Sequence, residues 1–294
     1  MNYNDFQRAV SLQLFQPPFR QKASEKHWPW DQIYTEKSTS RGREQTFGFT
    51  GLPAAQKTPI MGDTYYTDME ELGTTVWVME KYTLGAILPE ELIQDQSYIN
   101  FTRDLGAAIG EGHAYARDLA AAYPLINAFS AFTVWDGQPL CSAHTLLSGG
   151  TIDNALTPAS LSYSTLWDAI LYGQLSLQTD KGLPFVAEPV ALVYNPIQEP
   201  EVLLLLRNEF QPHVVERDKN LLPKLTPVAC RFLPQGYWFV TFEGWKEDNI
   251  YWNRQAPTVR ESRDFDRWAI KFASASRFAF GPRDYRRIVG NPGV

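Results

Sequence analysis

Phe101, Leu105, Ile109, Gly112, Ala116, Leu119 and Tyr123 recur at three- and four-residue steps, follow the Pro89-Glu90-Glu91 run, and end at Pro124. Proline suits a first helical turn, and carboxylates suit the positive end of a helix dipole. The pattern therefore predicts one helix from Glu90 to Tyr123, with those apolar residues on its buried face and Pro124 as its stop. At ~1.5 Å per residue such a helix extends on the order of 50 Å. One small domain cannot hide it, so the fold has to be built along it. Gly106, Gly110 and Gly112 weaken it locally and read as points where a strand or helix approaches closely. The stretch GEGHAY (110 to 115) is a truncated dinucleotide fingerprint inside a helix with no strand before it, which removes its phosphate-binding meaning.

The chain ahead of this helix is short of interior. The first forty residues mix charge and prolines with the pair Trp28 and Trp30, so they read either as an arm whose aromatics need a partner surface or as a disordered leader whose tryptophans pack locally. Two runs rich in aromatic and β-branched residues follow, EQTFGFTG (44 to 51) and GTTVWVMEKYTL (73 to 84), separated by a polar stretch holding Gly51, Pro53, Pro59 and Gly62. They predict a long hairpin. A two-stranded ribbon is marginal alone in water, so something must cover it, either its own domain or a neighbouring subunit.

Beyond the helix the texture is mixed. EPVALVYNP (188 to 196) reads as a buried strand, EPEVLLLLRNEF (199 to 210) as a short helix, and VACRFLPQGYWFVTFEGW (228 to 245) as a hairpin turning at Pro234 to Gly236. In 265 to 280, Trp268, Ile270 and Phe272 alternate with Arg267, Ala269 and Lys271, the period of a half-exposed strand. At 294 residues the chain has room for two domains, or one with large extensions. Its 20 prolines and 14% aromatics favour strands and turns over a helical bundle.

The totals also exclude functions. A net charge of -6 is wrong for a dedicated nucleic-acid binder, though a mildly acidic wall suits a container whose polymer must not stick. Two cysteines cannot make a disulfide framework, and the N-terminus lacks the charged start and apolar run of a signal peptide, so a reducing cytoplasm is expected. The longest apolar run, VLLLL (202 to 206), is far short of the ~20 residues that span a bilayer. DGQPLCSAHTLLSGG (136 to 150) sets Cys141 three positions before His144. A cysteine nucleophile with a histidine base, half a metal site, and an inert turn all fit that spacing. Activation would require the imidazole to reach the thiol, and a metal would require two further ligands, whereas His27, His113, His213 and Cys230 are dispersed. His113 reads as a solvent-facing or hydrogen-bonded side chain of the helix. No catalytic, cofactor-binding or metal residue is assigned.

In this order the segments resemble the tailed-phage major capsid proteins of the Hong Kong 97 fold, in the Mu-like major head subunit branch. The residues that carry the resemblance are DGQPLCSAHTLLSGGTIDNALT (136 to 157), GLPFVAEPVALVYNP (182 to 196) and SRFAFGPRDYRRIVGN (276 to 291). The resemblance implies an α+β fold divided into an N-terminal arm (1 to 40), an extended β-hairpin or E-loop (41 to 84) and the spine helix of a peripheral domain (85 to 125). An axial domain (126 to 227), peripheral-domain strands and connections (228 to 275) and a C-terminal segment (276 to 294) complete it. It implies a non-enzymatic protein that self-assembles as hexamers and pentamers into an icosahedral virion capsid, in the host cytoplasm, around double-stranded DNA held without sequence specificity. A portal protein at one vertex and separate scaffolding and decoration proteins are the further partners, with no membrane and no cofactor. Cleavage of a leading segment is not expected. Some members cross-link a hairpin lysine to a distant asparagine; Lys57 lies in the matching region, and no cross-link is assigned to it. An encapsulin-like shell enclosing cargo protein and a cytosolic α/β enzyme with Cys141 as nucleophile are the alternatives.

Overall fold

The computed structural model describes residues 3–89, 98–147, 149–184, 188–211, 219–264, 266 and 268–294. The expected helix start at Glu90 and Glu91, together with His213 and Arg267, lies outside them.

The chain begins with a helix, α1 (Tyr3–Ser24), that contains Pro17 and Pro18. This helix lies within the segment read as an N-terminal arm. An interior proline costs a helix about 3 kcal/mol, so local preference cannot explain α1. Packing does. Phe15, Phe19 and Ala23 are buried with Ile109, Leu88, Ile270 and Phe272, and the Phe15 ring stacks on Phe272 at 4.6 Å. Each buried phenylalanine contributes roughly 1.5–3 kcal/mol, enough to hold α1 only while it lies on its neighbours.

After α1, the aromatics of residues 27–34 also find their partners within the chain. Trp28, Trp30, Ile33 and Tyr34 are buried in the largest core, which corrects the expectation that the tryptophans need another subunit. Their anchor is Asp118, fully buried on the long helix. One carboxylate oxygen accepts from the His27 backbone N–H and faces its Nδ1, both at 2.7 Å, and the other accepts from Trp30 Nε1 at 2.8 Å. Trp28 Nε1 donates to the Asp118 carbonyl and Tyr34 donates to that of Ala121. A buried carboxylate is tolerable only when so many donors surround it.

Strands β1 (Thr35–Ser38), β2 (Arg43–Phe49), β3 (Glu71–Val78) and β4 (Glu80–Pro89) follow. The hairpin forms between β2 and β3, in antiparallel register from Arg43 opposite Val78 to Phe49 opposite Glu71. The second predicted run, however, breaks at Met79: its latter half, as β4, joins another sheet.

Helix α2 (Tyr98–Ile126) spans 29 residues, roughly 43 Å at ~1.5 Å per residue. Two details of the prediction change. Pro124 lies inside the last turn, because Leu125 is drawn into the core and the Asn127 N–H still reaches the Tyr123 carbonyl. The buried face is also different: Thr102, Gly106, Ile109, Gly110, His113, Asp118, Ala121 and Leu125 point inward, while Phe101, Leu119 and Tyr123 are exposed. Small residues win the inner face because α1 must approach closely. A Cβ on Gly106 would meet the Phe15 carbonyl oxygen at 2.5 Å, one on Gly110 the Phe19 carbonyl oxygen at 2.5 Å, and one on Gly112 would meet Leu84 Cδ2 at 2.6 Å. The three glycines are contact points, as the sequence suggests. His113 is buried and hydrogen-bonded, with Nε2 2.6 Å from Ser274 Oγ and Nδ1 3.0 Å from Ser276 Oγ; burial lowers its pKa.

The remaining elements are β5 (Ala143–Thr145), β6 (Thr151–Asp153), α3 (Tyr163–Ser176), β7 (Pro189–Tyr194), α4 (Glu199–Arg207), β8 (Thr226–Ala229), β9 (Trp238–Phe242), α5 (Trp245–Asp248), β10 (Asn249–Asp264), β11 (Ala269–Pro282) and β12 (Ile288–Asn291). One sheet has the order β1-β10-β11-β4 and carries α1 and α2 on one face. The other has the order β12-β9-β7-β8, with α3 and α4 packed on it. The expected hairpin of 228 to 245 does not form, because β7 lies between β8 and β9, parallel to the first and antiparallel to the second. Strands β9 and β12 thus complete the sheet of β7, although the segment division by sequence puts them outside residues 126 to 227. The largest core joins the sheets: Tyr251 and Phe278 from the first meet Val193, Phe239 and Ile288 from the second around the end of α2.

Candidate functional site

The Cys141–His144 turn is the obvious place for chemistry, and its geometry is that of a sealed joint. Cys141 is buried, and its N–H donates to the Ala128 carbonyl at 2.8 Å. Burial pushes its thiol well above the ordinary range, and the other free cysteine, Cys230, is pushed up to about 12 by the same cause. His144 faces other partners: Nδ1 lies 2.6 Å from Asp136 Oδ2, Nε2 lies 3.4 Å from the Leu140 carbonyl, and the ring stacks on Tyr285 with centroids 3.6 Å apart. Asn154 closes the joint by donating to the carbonyls of Leu140, Tyr285 and Ile288. Neither an activated thiol nor an available base results. Among the described residues, no group of three or more His, Cys, Asp or Glu side chains is placed to hold a metal ion, and no helix is long and apolar enough to cross a membrane.

The unsatisfied features lie on the surface. Between β2 and β3, residues 50–70 run without regular strand or helix, a connection of a length uncommon in compact domains. Phe49, Leu52, Ile60, Met61, Tyr65, Tyr66 and Met69 are exposed along it, Ile60 and Met61 to 99%. So many exposed large apolar side chains along one connection suit an interaction surface. At its base the hairpin is held firmly: Trp77 is buried with Met79 and Ile250 and donates to the Gly281 carbonyl at 3.0 Å. A second exposed group sits beside that base, where Leu119 and Tyr123 of α2, Val76 and Val78 of β3, Phe132 and Trp135 line a groove of about 640 Å³. The third is the far end of the β10–β11 ribbon, where Trp268 is 68% exposed with φ of 45°, a backbone region that a bulky residue seldom adopts.

The hairpin is visible in the sequence from its aromatic and β-branched runs. The α2 stripe is not, because periodicity locates a helix face without saying whether core or solvent meets it. A cue for the true face is the row of glycines and alanines, Gly106, Gly110, Ala114, Ala121, at the steps of one helix side.

No protein-family model matches this chain, and no curated protein matches its sequence. Solved structures do match. A structure from Mycobacterium phage Adephagia aligns over 91% of this chain and 91% of its own, with a TM-score of 0.59 at 14% identity. The mature capsid of bacteriophage PhiM1 aligns over 89% and 86%, with a TM-score of 0.57 at 12% identity. A virus-like particle from Pyrococcus furiosus aligns over 94% and 97%, with a TM-score of 0.57 at 7% identity. The chain has the Hong Kong 97 capsid fold. At these identities the likeness is one of fold.

Proposed function

We propose that the protein is a shell-forming subunit, the major capsid protein of a tailed bacteriophage in the Mu-like branch, which assembles as hexamers and pentamers of an icosahedral head around double-stranded DNA. The observation that carries this reading is the exposed apolar connection of residues 50–70 on a firmly based hairpin, in a chain whose fold is shared with a mature phage capsid along about nine-tenths of its length. An apolar segment that stays exposed in the single chain gains burial when it lies on another copy. Standard interfaces bury about 1,600 Å², and several weak contacts per subunit sum to a closed shell. A portal at one vertex, separate scaffolding and decoration proteins, and assembly in the host cytoplasm belong to the same proposal. The sealed Cys141 speaks against the enzyme alternative.

A second reading, a shell that encloses cargo protein, is compatible with the same fold, which a virus-like particle from Pyrococcus furiosus shares. Electron microscopy of the purified protein tests the proposal. Shells, tubes or capsomer rings are expected, with nucleic acid inside particles formed in a phage-producing host. A uniform single-copy species at high concentration in assembly buffers overturns both readings, and closed shells filled with protein in place of nucleic acid favour the second.

A further inference from the structure

One flank of the molecule is left apolar and unpaired in both of its layers. In the helix layer the flank is α2. About Gly112, the residues four positions away are Ala108 and Ala116, those seven away are Leu105 and Leu119, and those eleven away are Phe101 and Tyr123. At about 100° per residue the whole row falls within roughly 80° of the helix circumference. Phe101, Ala108, Leu119 and Tyr123 are exposed, Phe101 to 43% and Tyr123 to 51%, and the rest of the row is half-buried. The row reads alike in both directions, large and apolar at its ends, small beside its centre, and glycine at the centre.

In the sheet layer the same flank is β4. It pairs with β11 and ends the order of its sheet, so its outer edge has no strand partner among the described residues. From Tyr82 to Leu88 it carries no charge, and Leu84 and Ile87 are exposed on its two faces. An uncharged edge of that length is a pairing template that native proteins cover or blunt. Leu84 lies beside Gly112, where an added Cβ would meet its Cδ2 at 2.6 Å. The middle of the strand and the middle of the helical row therefore coincide.

A surface of this kind is complementary to itself. In a two-fold contact residue i meets j and j meets i, so antiparallel α2 helices turned about Gly112 set Phe101 against Tyr123 of the second copy, Leu105 against Leu119 and Ala108 against Ala116. Small side chains let the axes approach at the centre, and the groove of about 640 Å³ beside Leu119, Tyr123, Val76 and Val78 receives the other copy's Phe101. The layers also agree in spacing. Helix α2 lies over β4 and β11; an axis midway between these strands puts the two helices about 10 Å apart when the β4 edges join at about 4.8 Å, a normal packing distance. Strand pairing about Leu84 sets Lys81 opposite Ile87 and keeps the two Lys81 side chains about 20 Å apart at ~3.4 Å per residue. Glu111, on the solvent border of the row, interacts with Lys22 of its own α1, which lessens repulsion between copies. A flank about 33 Å long and about 20 Å deep covers on the order of 650 Å² per copy, near the ~800 Å² per partner of a standard interface.

We infer that the α2–β4 flank is a two-fold interface between copies of this chain, in which α2 packs antiparallel on α2 and β4 continues its sheet into β4 of the second copy. The contact goes beyond the shell-forming reading and does not rest on it, because a pair of this symmetry closes on itself.

In sedimentation at micromolar concentrations the unaltered chain is expected to run as a pair, or as larger species built of pairs. Leu119→Glu brings two carboxylates into the contact and is expected to weaken the pair by about a hundredfold or more. Circular dichroism and melting of the separated copies should stay unchanged, because Leu119 is exposed there. Orientation is read with the variants A108C and A116C. Under mild oxidation a mixture of the two is expected to form a disulfide between chains, and neither variant alone. Each position faces the other and lies about 12 Å along the axis from its own counterpart at ~1.5 Å per residue, beyond the reach of a disulfide. Cys141 and Cys230 are buried and take no part. A disulfide in the A108C sample alone, or in none of the samples, overturns the inference. So does an unaltered chain that stays single, or a folded L119E chain that pairs as tightly as the original. Shells without the mixed disulfide leave the shell reading standing and remove the two-fold contact, whereas pairs with the mixed disulfide that never build shells uphold the contact and remove the shell.

Discussion

Cys141 and Cys230 show how far a residue's surroundings govern its chemistry. An ordinary thiol titrates near pH 8.5, but burial without a compensating cation penalises the thiolate, and here it pushes both thiols upward, Cys230 to about 12. Deprotonation is therefore negligible across neutral and mildly alkaline pH. Neither cysteine should react with a maleimide or an aromatic disulfide between about pH 7 and 9 in the folded protein, and both should react at once in denaturant. Rapid native labelling of Cys141, rising with an ordinary thiol titration, would return a reactive nucleophile to consideration. His144 reaches the same end by geometry, since Asp136, Leu140 and Tyr285 occupy its two nitrogens and one ring face.

At the scale of elements, α1 on α2 is the contact that local preference opposes and packing creates. Gly106→Ala and Gly110→Ala would each gain about 1 kcal/mol of helix propensity in isolation. In the folded chain the new methyl groups would sit 2.5 Å from the carbonyl oxygens of Phe15 and Phe19. Separation of the helices outweighs the gain, so the double substitution should lower the unfolding free energy by about 1–3 kcal/mol and speed tryptic cleavage after Arg20 or Lys22. Denaturant melts and a proteolysis time course measure both; an increase in stability would mean that α1 does not lie on α2. The same contact explains why α1 is hard to read in the sequence. Pro17 and Pro18 signal an end of structure, and the residues that override them are Gly106, Gly110 and Phe272, far along the chain. The ribbon 44 to 78 is easier, because its strands and their pairing are close in sequence.

For the whole molecule, the expectation is a division of labour between a self-sufficient body and a hairpin tip that matures in company. The body has continuous cores that link both sheets, whereas residues 50–70 bury little. Replacing residues 53–69 by a short Gly/Ser connection should change the stability of the single copy by no more than about 1 kcal/mol, since closure of a shorter loop costs slightly less entropy, and should abolish ring and shell formation. Calorimetry and light scattering on the same sample read the two halves of this prediction. A large loss of thermal stability would show that the tip belongs to the body after all.

By itself the sequence determined what neighbouring residues decide: the existence of a long helix, a ribbon ahead of it, and the buried strand at 189–194 ended by Asn195-Pro196 with a helix after it. Only the tertiary structure decided which side of that helix is covered, that the 27–34 aromatics belong to this chain's own core, and that β7 separates β8 from β9. The physical reason is distance along the chain. Periodicity and turn chemistry arise between residues a few positions apart, whereas the Asp118 carboxylate meets His27 across 91 positions, and such contacts are settled by shape and charge that no local pattern records.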